Sequence, residues 1–414
     1  MKPIRIALFV LMGLALRTGA ETPMRFFRLQ SDSNTAVVGM TPGRLTWTNA
    51  NPAGRFQIEQ NLNMATGVWY SFISGPATGA QQALKLLDFS APTGMVYVPA
   101  GDYVRGDIYT NWFREFRAVQ VSTVWVSAIY VDRFEVSKSL WDEVRNWALT
   151  NGFSATNGIG GVQVRSVITT NDSVITTNWY YYEVSSNHPV VMVTWYDVVK
   201  WCNARSLKEG LTPVYYTDTN WVTIYRTGQV DLATNMVNWQ ASGYRLPTEA
   251  EWEKAARGGL IQQHYPWPGT STDLATTING TLANYSGSLD ELEASTTPIG
   301  YYDGAQVVSN DLGDLIVGDD MANPYGLYDM AGNVTERCWD WYSFTTYQWQ
   351  VQNNDLRDPR GPPVFDPGIQ YRVARGGDWL SPVEYLRCAA RDLYFPTSAR
   401  VYLGFRTVRR APDP

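Results

Sequence analysis

The sequence predicts an α+β fold rich in loops, preceded by a small β-sandwich-like module, and three observations carry that expectation. Aromatic residues make up 14% of the chain, with 17 Trp and 25 Tyr, and 34 Gly and 22 Pro accompany them. Rings set among turn formers suit irregular β-containing layers better than a helix bundle. The chain has 414 residues, beyond the roughly 250–300 at which a single core stops growing, so more than one unit is expected. A hydrophobic share of 44% against 17% charged supports a large buried core rather than a disordered chain.

Taken in order, residues 1–20 read as a secretory signal. Lys2 and Arg5 form a basic start, residues 6–16 are apolar apart from Gly13, and Thr18-Gly19-Ala20 offers small residues at a cut. The apolar run is shorter than the roughly 20 residues a bilayer span needs, and no Cys stands at the cut to take a lipid. No later stretch is long and apolar enough to span, so a secreted or periplasmic protein without a membrane span is expected. Residues 21–92 read as the small β module, of fibronectin type III kind: Arg44-Leu45-Thr46-Trp47-Thr48 and Arg55-Phe56-Gln57-Ile58-Glu59 alternate in character around the turn cluster of residues 49–54, and Trp69-Tyr70-Ser71-Phe72 follows. Such a module spaces units or docks a partner. Thr93-Gly94 marks the boundary to a larger unit, residues 93–414.

Within that unit the pattern predicts three helices. Residues 140–149 place Leu140, Val144, Trp147 and Ala148 at helical spacing, and residues 193–207 do the same with Val198, Val199, Cys202 and Ser206. The third covers residues 247–259, where Thr248 with Glu251 forms a capping box and Gly258 is placed to end the helix. Long Gly/Asn/Asp-rich loops separate the helices.

Charge and rare residues exclude several functions. Net charge is −6, the wrong sign for displacing counterions from nucleic-acid phosphates. Two His cannot build a three-histidine iron site, and three Cys leave at least one unpaired within the monomer.

The ordered motifs of the large unit carry a resemblance. Met95-Val96-Tyr97-Val98-Pro99-Ala100-Gly101, Val131-Asp132-Arg133-Phe134-Glu135-Val136, and the run from His188-Pro189-Val190-Val191-Met192-Val193-Thr194-Trp195 come first. Tyr244-Arg245-Leu246-Pro247-Thr248-Glu249-Ala250-Glu251-Trp252, Asn323-Pro324-Tyr325-Gly326-Leu327-Tyr328-Asp329-Met330-Ala331-Gly332-Asn333-Val334, Ala374-Arg375-Gly376-Gly377-Asp378-Trp379, Arg387-Cys388-Ala389-Ala390-Arg391 and Leu403-Gly404-Phe405-Arg406 follow. Together they resemble the formylglycine-generating enzyme (sulfatase-modifying factor) family. The resemblance implies one α+β domain distantly like C-type lectins, with Asp197 and Glu249 as caps or buried ion-pair partners.

Family members that make formylglycine oxidise a substrate cysteine with O2 and a copper(I) ion held by two thiolates, and a soft ion requires soft sulfur. On that resemblance Ser381 stands where the first thiolate belongs and the second has no counterpart. Cys388 and Cys202 match bridged positions whose partners read Ala256 and Thr407, so neither disulfide is expected. Copper is therefore not an expected cofactor, and no catalytic residue is assigned. Calcium is the cofactor the resemblance retains, as a structural ion. One site takes the side chains of Asp329 and Glu336 with the carbonyls of Gly332 and Val334; a second takes Asn284 and the carbonyl of Tyr285, its remaining ligands falling among residues 290–293. After Gly-Asn-Val the family pattern Trp-Glu-Trp is replaced by Thr335-Glu336-Arg337, which alters the aromatic wall of the groove.

The expectation is a divergent, secreted relative that binds a peptide, glycan or protein partner in the former substrate groove through Arg375, Asp378, Trp379, Ser381 and Arg391. The alternative is a formylglycine-generating oxidoreductase with a relocated site, Cys338 with Cys388 being the pair to consider.

Overall fold

The computed structural model describes residues 4–6, 26–31, 35–41, 43–49, 54–61, 69–77, 81–88, 90–107, 121–171, 174–261, 263–268, 278–288, 295–309, 315–362 and 370–412. Most of the segment read as a signal lies outside these residues, as do the turn at 50–53 and the acidic residues 290–293.

The N-terminal part is built from short strands: β1 (Ile4–Ile6), β2 (Phe26–Ser31), β3 (Thr35–Thr41), β4 (Arg44–Asn49), β5 (Arg55–Asn61), β6 (Tyr70–Pro76) and β7 (Gln81–Lys85). They fall into two antiparallel sheets, β3-β4-β7 and a larger one that begins β1-β2-β5-β6. Alternation places Phe56 and Ile58 of β5 inside and Gln57 and Glu59 outside, as a half-buried strand requires. Between the sheets pack Phe27, Leu29, Leu45, Trp47, Phe56, Ile58 and Leu84, all buried.

The larger sheet does not stop at the expected boundary. It continues through β9 (Gly101–Arg105) and β10 (Ser122–Val126), which follow β8 (Met95–Val98) in sequence, with Ser74 of β6 opposite Asp102 of β9. The apolar cluster of the β module likewise runs on without a break into Val98, Trp252, Ala255, Tyr325, Leu327 and Val373. Phe72 meets the edge of Tyr325 at 5.4 Å between centroids, and the Tyr325 hydroxyl donates to the Phe72 carbonyl at 3.1 Å. The module and the large unit share one core.

Beyond β10 come β11 (Ile129–Asp132), β12 (Ile159–Gly160), the long hairpin β13 (Gln163–Asn171) and β14 (Val174–Tyr182), β15 (Val190–Val191), the hairpin β16 (Val307–Ser309) and β17 (Leu315–Val317), then β18 (Thr335–Trp341), β19 (Arg372–Arg375), β20 (Asp392–Tyr394), β21 (Leu403–Gly404) and β22 (Val408–Arg410). Among the described residues the small sheets are antiparallel except for the parallel pair β18–β21, and long connections join them. This is the α+β, loop-rich architecture the composition predicts.

Four α-helices are described: α1 (Lys138–Thr150), α2 (Trp195–Lys208), α3 (Glu249–Arg257) and α4 (Thr346–Gln352). The face of α1 differs from the expectation: Trp141, Val144 and Ala148 are buried, whereas Leu140 and Trp147 only flank the core. Trp141 stacks flat on Trp201 of α2 at 5.6 Å, and that contact turns the helix. Asp197 closes a capping box with Thr194, Glu251 closes one with Thr248, and Gly258 ends α3 with φ 58°. Every residue of α3 is buried although the helix reads Glu-Ala-Glu-Trp-Glu-Lys-Ala-Ala-Arg. Burial of that many charges is tolerated only when each is paired. Glu251 bonds Arg245 with both oxygens at 2.6 Å, Glu253 takes Arg257 at 2.7 Å and also Arg375, and Lys254 donates to the carbonyls of Pro99, Gly101 and Val126. No helix among the described residues is long and apolar enough to cross a membrane.

Candidate functional site

The sheet β20-β19-β18-β21 carries the positions singled out for the groove. Strand β19 ends in Gly376-Gly377, both at positive φ, and a Cβ on Gly377 would come within 2.8 Å of Leu386 and 3.0 Å of the Tyr385 carbonyl carbon. Only glycine accommodates that turn. It presents Asp378 to Ser381 in a tight bend, with the Ser381 amide donating to the Asp378 carbonyl at 2.8 Å and the Ser381 carbonyl accepting from Ser286 at 3.0 Å.

The five expected groove residues separate into two groups. Arg375 and Arg391 do not line a groove. Both are buried in ion pairs, Arg375 with Glu253 and Arg391 with Glu249, whose oxygens it holds in a bidentate pair (2.8 Å for the Nη2–Oε2 contact). Arg391 is further enclosed by the rings of Tyr342 and Tyr347 at 4.5 and 4.7 Å. Burial pushes Glu249 up, but the guanidiniums of Arg391 and Arg375 outweigh it and hold the carboxyl below its usual range. Trp379 is buried too, packed against Val162, Val191 and Val334, and its indole N–H finds no hydrogen-bond partner among the described residues.

Asp378 and Ser381 do come together. The Asp378 carboxylate accepts from the Thr335 hydroxyl at 2.7 Å, from the Leu380 amide at 2.9 Å and from the Ser381 hydroxyl. Burial dominates these bonds and pushes the carboxyl up to about 6, with Asp392 adding to the shift. Around this pair stand half-buried Asp392, Tyr394 and Tyr402, which the sequence reading did not single out. The Tyr394 hydroxyl donates to Asp392 at 2.9 Å, and the Tyr394 and Tyr402 rings lie 6.1 Å apart. Alternation along Asp392-Leu393-Tyr394 was the available signal, since it sets the acid and the ring on one face.

Because the Asp378 pKa is raised on folding, the native state binds a proton more tightly than the unfolded chain. The stability this contributes is complete below about 3.8, and it is lost as pH rises through about 6. Asp378→Asn should therefore lose less stability between pH 4 and pH 8 than the unaltered protein, by about 2–3 kcal/mol. Urea unfolding at the two pH values measures it, and equal losses in the two proteins would refute the assignment.

Copper(I) would need a pair of sulfur ligands. Cys202, Cys338 and Cys388 are all free and buried. Burial pushes each thiol up, that of Cys388 to about 12. Cys338 and Cys388 share an apolar cluster without bonding to each other. The histidines are engaged elsewhere: His188 pairs with Thr296 at 2.9 Å, its pKa lowered to about 4 by burial, and His264 faces Asp107 at 3.6 Å.

The expected calcium ligands fare unequally. Among the described residues no group of three or more His, Cys, Asp and Glu side chains could hold a metal. Glu336 does not fit the first site, because Arg406 takes both its oxygens at 2.6–2.9 Å and the Trp252 indole donates to it at 2.8 Å. Asp329, in a strained conformation at φ 56°, accepts from the Gly300 amide through one oxygen while the other is buried without a hydrogen-bond partner among the described residues. Burial raises its carboxyl to about 6. Gly332 and Val334 lie in the same tight loop, where the Val334 amide donates to Glu135 and a Cβ on Gly332 would sit 2.1 Å from the Asn284 carbonyl oxygen. The two segments expected to bind separate ions thus abut. Asn284 keeps a buried side-chain oxygen with no hydrogen-bond partner among the described residues, and the Tyr285 carbonyl accepts from Ser288 at 3.1 Å. The sequence reading missed the role of Glu135, which is wholly buried, bonds Asn333 at 2.7 Å, and is pushed well above the usual carboxylate range by burial and then by Asp329 and Glu336.

A domain of this fold, with its loop of Asp329 to Glu336 and the Gly-Gly bend before Asp378, defines a class. Residues 85–411 match the family model described as the sulfatase-modifying factor enzyme 1-like domain, and the chain belongs to that family. The chaperone protein LppX of Paenibacillus barcinonensis is 34% identical over 224 residues, 53% of this chain and 69% of that protein. The formylglycine-generating enzyme of Thermomonospora curvata is 27% identical over 348 residues, 78% of this chain and 94% of that enzyme. The serine/threonine-protein kinase pkn1 of Chlamydia caviae is 39% identical over 180 residues, but the match spans only 23% of that protein. Among solved structures, the Treponema denticola variable protein 1 aligns with a TM-score of 0.49 at 26% identity, covering 77% of this chain and 95% of that one.

Proposed function

We propose that this protein is a non-oxidising member of its family, secreted or periplasmic, that binds a peptide or protein partner over the former substrate groove around Ser381. The observation that carries the reading is the Asp378–Ser381 bend, which replaces sulfur with a hydrogen-bonded carboxyl and hydroxyl and is bordered by Asp392, Tyr394 and Tyr402. Acids beside aromatic faces favour a cationic side chain, held by charge and by the ring quadrupoles, so a Lys- or Arg-bearing peptide suits the groove better than a neutral glycan. The similarity to a protein named as a chaperone supports a binding role.

The rival reading, a formylglycine-generating oxidoreductase with a relocated site, is separated by one assay. The purified protein is incubated with copper(I), oxygen and a Cys-x-Pro-x-Arg peptide, and the peptide is weighed. An unchanged thiol mass is the expected result; conversion over many turnovers would reverse the conclusion.

Calcium, on this reading, braces the loop at Asn284 and has no part in chemistry. The orphaned Asn284 side-chain oxygen is the support, and a hard oxygen donor suits the ion. Calcium at about 100 times its dissociation constant should stabilise the fold by about 2.7 kcal/mol. Thermal unfolding with calcium and then with excess EDTA should show that difference, and Asn284→Ala should abolish it. A midpoint indifferent to calcium would remove the ion from the account.

A further inference from the structure

Where the β module meets the large domain there is a cleft of about 300 Å³, lined by Gln57, Glu59, Trp69 and Tyr70 on one wall and by Leu260 and Gln263 on the other. Neither wall belongs to the groove around Ser381. The first wall comes from β5 and the start of β6, where the strand register shifts between Ile58 and Glu59. Such a bulge re-aims the side chains beside it. The second wall is the segment after α3. It is held close because Gly259 lies against β6 at φ 84°, where a Cβ would come 2.3 Å from the Ser71 carbonyl oxygen.

The polar groups of the cleft are organised before any ligand arrives. Glu59 accepts from the Arg28 guanidinium, from Gln30 at 2.6 Å and from Gln57 at 3.3 Å. Its charge is neutralised, so the cleft has little to offer a cation. The Arg28 guanidinium also lies 4.5 Å from the centre of the Trp69 ring and fixes the indole. What remains is a pair of half-exposed aromatic rings flanked by amide groups and one neutralised carboxylate. Ligand pockets combine apolar walls with a few placed polar groups and favour seams between units, and about 300 Å³ is the lower end of their size range.

We infer that this cleft is a binding site for a neutral sugar, a pyranose stacked by its C–H face on Trp69 and Tyr70 with its hydroxyls bonded to Gln57, Glu59 and Gln263. An uncharged ligand with one apolar face and a rim of hydroxyls matches each feature in turn, while a cation would meet a carboxylate already paired with Arg28. The sugar comes either as a free oligosaccharide or as the glycan of another protein, and the chemistry of recognition is the same.

The full chain is titrated with cellotetraose, chitotetraose, maltotetraose and mannotetraose, followed by tryptophan fluorescence and calorimetry. Saturable binding of at least one sugar is expected. Trp69→Ala should weaken it by about tenfold or more, a loss of about 1.4 kcal/mol. Gln263→Ala, on the opposite wall and away from the strand core, should weaken it severalfold with an unchanged unfolding midpoint, which guards against a fold defect in the Trp69 variant. In a second arm, a high-mannose glycoprotein is passed over immobilised protein before and after enzymatic deglycosylation; retention of the glycosylated form alone assigns the glycan source. Equal retention of the two glycoprotein forms, beside saturable binding of a free sugar, assigns the free source, whereas no saturation by any sugar or undiminished binding in both variants would overturn the inference.

Discussion

Replacing Arg375 by Ala should cost about 3–5 kcal/mol of folding stability, the scale for breaking a buried pair and stranding its partner. The guanidinium is buried, pairs with Glu253, and donates to the carbonyls of Cys388, Ala389 and Ala390 at 2.9, 3.0 and 2.7 Å. Alanine leaves that carboxylate without one of its two cations and three carbonyls without their donor, each carrying the cost of an unpaired buried polar group. Glu253→Gln alone should also destabilise, and the double variant should lose less than the two losses together because they share one pair. Ser381→Ala, half-buried in its bend, should stay within about 0.5–1.5 kcal/mol. Urea unfolding ranks the four proteins. If the Arg375 variant keeps its stability and loses only partner binding, the residue belongs to the groove after all.

Motif order made the family domain legible, and local chemistry made its helices legible: Thr194 with Asp197 and Thr248 with Glu251 cap α2 and α3 because a hydroxyl and a carboxylate three residues apart satisfy each other's neighbouring amides. Short-range signals of that kind need no partner elsewhere. The destinations of the long side chains were not legible. Arg375 and Arg391 stand in a segment matching the family's groove, yet their partners Glu253 and Glu249 lie on a helix more than a hundred residues earlier. No spacing rule connects the two. The face of α1 failed for a similar reason, since Trp201 on another helix decides which side turns inward. At the loops expected to hold calcium the sequence did not show what each side chain meets, because Arg406 reaches Glu336 from 70 residues away.

Deleting residues 22–91 should prevent the remaining chain from folding cooperatively, a larger effect than any single substitution. Thr93-Gly94 reads as a boundary, but the structure runs its hydrogen bonds and its core across it. Phe27, Phe72 and Ile73 would leave a shared cluster, and Trp252, Tyr325 and Val98 would lose their cover. At about 1.5–3 kcal/mol per large apolar side chain, such exposure matches the whole stability of a domain, about 5–15 kcal/mol. Polar partners go as well: the Tyr325 hydroxyl loses the Phe72 carbonyl, and the Pro324 carbonyl loses Gln60 at 3.3 Å. The truncated chain should show no sharp thermal transition and should bind a hydrophobic dye. A milder probe is Phe72→Ala in the full chain, expected to cost about 3–5 kcal/mol and to be non-additive with Tyr325→Phe, which removes the hydroxyl bonded to the same residue. Residues 93–414 unfolding at the temperature of the full chain would show that the β module is a detachable appendage, and the cleft along the seam would then have only one fixed wall.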